Sequence, residues 1–211
     1  MTALALMATL GVAAVSWIIA ARLMNGMDMG LATRLGSFPF FIAVWVSMMA
    51  AMMLPGATPT VLRLAQTGSR VRAVPLFVGS YLVVWTLVGA ALYALHRPHG
   101  TLAAGAVVIA AGLYELTPLK HRFRRRCQEL MRSGFEFGLC CVGSSLGLML
   151  MLPALGVMSV TWMAVVAVLV IWQKLLPAKA VIDVPLALAM VGLGIVIVLA
   201  PSFVPGHTPP M

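Results

Sequence analysis

The sequence predicts an all-α protein, a polytopic transmembrane bundle of about seven helices. Three observations predict it. The chain of 211 residues is 62% hydrophobic and 9% charged, with a mean hydropathy of +1.06, whereas soluble domains carry about 25% charged and about 45–50% apolar residues. A water-soluble core of this size cannot hide that much apolar surface. Seven stretches approach the ~20 apolar residues that cross a bilayer, at 3–24, 39–57, 75–95, 101–118, 136–153, 158–176 and 182–202. Prolines mark their ends, at Pro39, Pro55, Pro75, Pro118, Pro153, Pro177 and Pro201, where a missing N–H costs a helix least. One integral membrane domain over 1–211 follows, because nothing between the stretches is long enough for a soluble domain.

The first stretch, "MTALALMATLGVAAVSWIIAARLM", has no basic start and an apolar run longer than a signal-peptide core. It is read as a retained helix. The second ends "WVSMMAAMMLP" and carries Met48, Met49, Met52 and Met53. The third carries Tyr81 and Trp85, and the fourth ends "GLYELTPLK", with Tyr114 and Glu115 near its close. The basic run "KHRFRRR", Lys120 to Arg126, is read as a loop. The fifth stretch holds Cys140, Cys141, Ser144 and Ser145, and a tight hairpin leads into the sixth, which ends "VIWQKLLP". The seventh closes the set. No internal repeat of the transporter kind is present.

The net charge is +9. In a soluble protein that balance would suggest nucleic acid. Here Lys and Arg fall between apolar runs and read as topology signals, and the basic run suits anionic lipid better than nucleic acid. Eleven Lys and Arg follow the second, fourth and sixth stretches, against three on the other side. The positive side is cytoplasmic, which places the N-terminus inside and the C-terminus outside. Arg22 and Arg34, just after the first stretch, are the local signal that disagrees.

On this topology the unusual side chains share one depth, the cytoplasmic half: the four methionines, Tyr81, Trp85, Glu115, Cys141, Gln173 and Lys174. Met48 and Met52 lie four apart and share a helix face, as do Met49 and Met53. Cys140 points about 100° away from Cys141. Thiolate and thioether sulfur are soft ligands that suit Cu(I), so Met48 and Met52 facing Cys141 would make a metal site. The same residues also suit plain packing. Methionine fills irregular cores, and Gly143, Ser144, Ser145 and Gly147 let another helix approach closely. Glu115 is costly inside a membrane and either joins a polar site or pairs with Lys120 or Lys174. Cys127 follows the arginines, whose charge favours a reactive, exposed thiolate. His96 and His99 flank Arg97 in an outer loop and read as solvated.

Six strings occur in order: "MMAAMMLP", "GSYLVVW", "GLYELTPLK", "CVG" followed by "LM", "GVMSVTWMA" and "QKLLP". Together, over about residues 40–178, they resemble a bacterial family of uncharacterised, predicted metal-binding integral membrane proteins. The resemblance implies a bacterial inner-membrane location and a sulfur-rich ligand set. It also shows departures. Where the family usually has a cysteine after "PLK", this chain has Phe123, with Cys127 kept four residues on. The family's Cys-x-Gly-Cys-Cys-Trp becomes Cys141, Val142, Gly143, Ser144, Ser145, Leu146, and its Glu-Lys-Leu becomes Gln173, Lys174, Leu175. Hydroxyls are poor ligands for a soft metal.

The expected function is therefore to bind or pass a soft metal, copper, with Met48, Met52 and Cys141 as ligands and Glu115 and Cys127 nearby. The alternative is a metal-free structural or assembly subunit on the same scaffold. No nucleophile–base pair, phosphate loop or paired carboxylates point to an enzyme. The expected partners are the lipid bilayer and another membrane protein, and not nucleic acid.

Overall fold

The computed structural model describes residues 2–25, 36–66, 73–95, 101–128, 133–155, 160–175 and 180–199. They form eight helices and, among the described residues, no strand: α1 (Thr2–Met24), α2 (Phe38–Gln66), α3 (Ala73–Leu95), α4 (Thr101–Glu115), α5 (Pro118–Gln128), α6 (Gly134–Leu155), α7 (Val160–Leu175) and α8 (Ala180–Leu199). Each of the seven apolar stretches coincides with a helix. The eighth, α5, is the basic run read as a loop, and that reading is corrected here. Four helices, α1, α2, α3 and α6, are long and apolar enough to cross a membrane, and a fifth span results if α4 and α5 count as one, bent by 64°.

The start of α5 is written locally. Thr117 stands before Pro118, and its hydroxyl accepts the Lys120 N–H at 3.4 Å. That is an N-cap followed by proline at the first helical position, where no N–H is needed. Leu116 and Thr117 close the preceding turn by bonding Leu113 and Tyr114 carbonyls at 3.1 and 3.0 Å. The chain therefore breaks at 116–117, and α4 is shorter than the expected 101–118.

A second correction concerns α2. It was expected to stop near Pro55, but it continues for 29 residues with Pro55 and Pro59 inside it. Interior proline costs a helix about 3 kcal/mol. Burial offsets that cost here, because Gly56, Ala57, Thr60 and Val61, beyond the first proline, are all buried.

Helices α2, α3, α6 and α7 pack around the centre in the order α2–α3–α6–α7, with α7 returning to α2. Helix α1 lies outside α2, and α4 packs on α6 with α8 against its other side. The α1 contact is a ridge of mostly small residues, Ala5, Thr9, Ala13, Ser16 and Ala20, all buried while Leu4, Met7 and Val15 are exposed. Such ridges let helices approach where no hydrophobic force drives them together. Helices α4 and α8 approach closely at paired glycines: a Cβ on Gly105 would lie 2.9 Å from the Gly194 carbonyl oxygen, and a Cβ on Gly194 would lie 2.9 Å from that of Gly105. Helix α2 is pinned to α3 by Trp45, whose indole N–H donates to the Trp85 carbonyl at 2.8 Å.

Candidate metal and charge centre

Two polar clusters sit side by side in this apolar bundle. The first centres on sulfur. Cys141 of α6 is fully buried. Its Sγ lies 3.1 Å from the Tyr81 hydroxyl of α3 and accepts from Lys174 Nζ of α7 at 2.7 Å. The same Nζ lies 3.8 Å from Met53 Sδ of α2. One residue from each helix of the central ring thus meets at one point. Tyr81, Trp45, Trp85 and all four α2 methionines are buried in the same core, each with 2% exposure or less. Lys174 reaches the sulfurs across Gly56, where a Cβ would lie 2.5 Å from the lysine Cδ.

The second cluster is ionic. Glu115 of α4, Lys120 of α5 and Asp183 of α8 are all essentially inaccessible. Glu115 pairs with Lys120 and accepts from Gln173 Nε2 at 2.9 Å. Asp183 accepts from Arg124 Nη1 at 2.7 and 2.8 Å and faces Lys120 at 3.4 Å and His121 at 3.5 Å. Burying charge is tolerable only when each ion is closely paired and hydrogen-bonded; this network meets that condition at Asp183 and at Glu115 Oε2, while Glu115 Oε1 is buried with no hydrogen-bond partner among the described residues. Gln173 and Lys174 are adjacent in sequence, so α7 joins the two clusters.

The spacing on α5 explains its two inner faces. Lys120 and Arg124 are four apart and turn toward the ionic cluster, while Phe123 and Cys127, also four apart, turn toward α6. Phe123 lies over Gly143, where a Cβ would be 2.6 Å from its ring. Cys127 Sγ is 3.9 Å from Ser144 Oγ. Arg122, Arg125 and Arg126 are exposed on the outside.

The expected site residues fall at different points of these clusters. Cys141 is central. The α2 sulfur that shares its lysine is Met53 rather than the expected Met48 or Met52, which are fully buried on the same helix. Glu115 belongs to the ionic cluster and has the Lys120 partner anticipated for it, but it is buried rather than near headgroup water. Cys127 is not the exposed thiol expected: it is half-buried, and burial, followed by the neighbouring Cys141, pushes its thiol up to about 12. Cys140 is buried separately from the Cys141 contacts. Asp183 escaped the sequence reading. Its signal was a lone carboxylate in the first turn of an apolar helix. His96 and His99 lie outside the described residues.

Among the described residues no three of His, Cys, Asp and Glu converge as a metal cluster. The donor set that does converge is soft, a thiol and a thioether sharing one cation, and that chemistry fits Cu(I) rather than a hard or borderline metal. Fold and site together define a helical bundle with an apolar exterior and a buried sulfur pair at its centre. The chain matches the family model described as PpoB2, copper chaperone, over residues 42–197, and belongs to that family. The match runs past residue 178 and takes in α8 with Asp183. No curated protein and no solved structure matches the chain.

Proposed function

We propose that this protein is a membrane-embedded copper chaperone of the bacterial inner membrane that holds Cu(I) between Cys141 and Met53 and passes it to another membrane-associated protein. The observation that carries the reading is the shared cation: Lys174 Nζ contacts both sulfurs, at 2.7 and 3.8 Å, so both donors face one point. Met49, one turn from Met53 on the same face, supplies the next sulfur along α2, with Met48 and Met52 on the adjoining face. Tyr81 donates to or accepts from the thiol and fixes its direction. Glu115 and the α5 cations hold α4, α5, α7 and α8 around the site. The membership of a copper-chaperone family supports the choice of metal.

Copper retained after purification in detergent under reducing conditions tests the reading. Wild type and Cys140→Ala are expected to keep Cu(I), Cys141→Ala to lose most of it, and Met53→Leu to bind more weakly. The Cys140 contrast isolates direction, since the two thiols have the same chemistry and only Cys141 has the Lys174 and Tyr81 contacts. A wild type without copper, or equal retention by both cysteine variants, overturns the ligand assignment and leaves the close-packed scaffold of an assembly subunit as the better reading.

A further inference from the structure

Lys174 is the component of the sulfur site that metal binding by itself does not require. An ammonium has three donors and no lone pair, so it is no ligand. While it rests on Cys141 Sγ and Met53 Sδ it stands where a soft cation would have to stand. We propose that Lys174 is a built-in placeholder: its ammonium keeps the two sulfurs facing each other until Cu(I) arrives, and the incoming ion expels it. The inference rests on the reading of Cys141 and Met53 as the ligands.

Several features of the structure support it. The lysine is held by sulfur, at 2.7 Å from the thiol and 3.8 Å from the thioether. The buried carboxylates nearby are engaged by Lys120, Arg124 and Gln173. Its stem crosses α2 at Gly56, where the absence of a Cβ leaves it room. A second seat for the charge is at hand, since Nζ already lies 5.9 Å from the Phe137 ring centroid and a ring face attracts a cation. The exchange also suits the surroundings. In a low-dielectric interior, adding a charge without removing one is costly. Cu(I) bonds to Cys141 Sγ as the thiol proton leaves to solvent, so one monovalent cation takes the place of another at the sulfur and the net charge of the site is unchanged although the ammonium stays close by. No bond to copper forms through the amine, and no electron moves.

Competition with a chromophoric Cu(I) chelator tests the proposal, using detergent-solubilised wild type, Lys174→Leu and Lys174→Arg. If the lysine fills the position in nine molecules of ten, removing it should tighten apparent binding about tenfold. Lys174→Arg should weaken binding, because the broad guanidinium fork cannot withdraw past α2 as a slender chain can. An acetylating reagent applied to wild type provides a readout that needs no variant: Lys174 should become more reactive once Cu(I) is loaded. Equal or weaker binding by Lys174→Leu, while Cys141-dependent binding persists in wild type, overturns the placeholder and leaves the ligands standing. Lys174 labelling that stays constant or falls on loading does the same. Wild type without Cys141-dependent copper sinks the ligand reading and the placeholder with it.

Discussion

At the scale of single residues, charge decides more than sulfur does. Asp183 is 1% exposed, and it receives Arg124 at 2.7 Å while facing Lys120 at 3.4 Å. Removing one partner of a buried ion pair costs about 3–5 kcal/mol, because the remaining charge stays buried without its counter-ion. Asp183→Ala is therefore expected to lower the thermal unfolding midpoint in detergent sharply, and Asp183→Asn by less, since the amide oxygen still accepts from Arg124. Equal midpoints for wild type and Asp183→Ala would show that α5 and α8 are not held by this pair. The residue also marks a limit of sequence reading. Its partners lie 59 and 63 positions away, and nothing local distinguishes a paired aspartate from a solvated one. Arg124 was passed over for the same reason, while Lys120 was anticipated as a partner of Glu115 and not of Asp183. In a basic run every cation looks hydrated, and only the packing of α5 on α6, with the carboxylates of α4 and α8 beside it, separates the two buried cations from the exposed arginines.

At the scale of elements, apolar length was legible and polar helix was not. Seven helices were visible because each carries its own hydrophobic run, and their order followed directly. Helix α5 has no such run, so a search for apolar stretches passed over it, although Thr117 and Pro118 announced its start. The extension of α2 was hidden by the opposite cue, as proline normally ends a helix and here only burial beyond it keeps the helix going. Within the Met and Cys helices the sequence expects Met48 and Met52 opposite Cys141, and the structure puts Met53 nearest the lysine that Cys141 contacts. Which of the two methionine faces on α2 meets Cys141 depends on the rotation of α2, and periodicity leaves that rotation open. The paired-glycine contact between α4 and α8 gives a clean test of packing. Gly194→Ala places a methyl 2.9 Å from the Gly105 carbonyl oxygen and close to Ile109, and overpacking of this kind costs about 1–3 kcal/mol. At Gly192, two residues earlier, an added methyl would meet nothing within 4 Å. Gly194→Ala should lower the unfolding midpoint and Gly192→Ala should leave it unchanged; matching shifts would mean that α4 and α8 are not in contact at these glycines.

At the scale of the whole molecule, the arrangement is a four-helix ring with a sulfur pair at its centre, flanked by α1 on one side and by the α4–α8 pair on the other. The charged cluster sits where the flank meets the ring. The expected orientation in the bilayer rests on the eleven-to-three distribution of Lys and Arg. The sequence expectation of seven crossings, which exceeds the four or five helices long and apolar enough to cross, puts the ends of the chain on opposite sides. A reporter that is active only in the cytoplasm should be silent when fused to the C-terminus and active at the N-terminus. Strong activity at the C-terminus would reverse the orientation or change the number of crossings.

The two prolines of α2 have a mechanical consequence. Pro55 and Pro59 lack the N–H groups that would bond the carbonyls of Ala51 and Pro55, so two rungs are missing from the ladder, one over residues 51–55 and one over 55–59. A rod with missing rungs bends there before it bends elsewhere. Met53 stands within the first gap, and Gly56, which gives Lys174 its passage, stands within the second. A small flexure of the last three turns of α2 therefore shifts the lysine's passage relative to the thioether while the other sulfur, anchored on α6, stays where it is. The elasticity of a single helix thus sets how easily the two halves of the sulfur pair can be drawn apart.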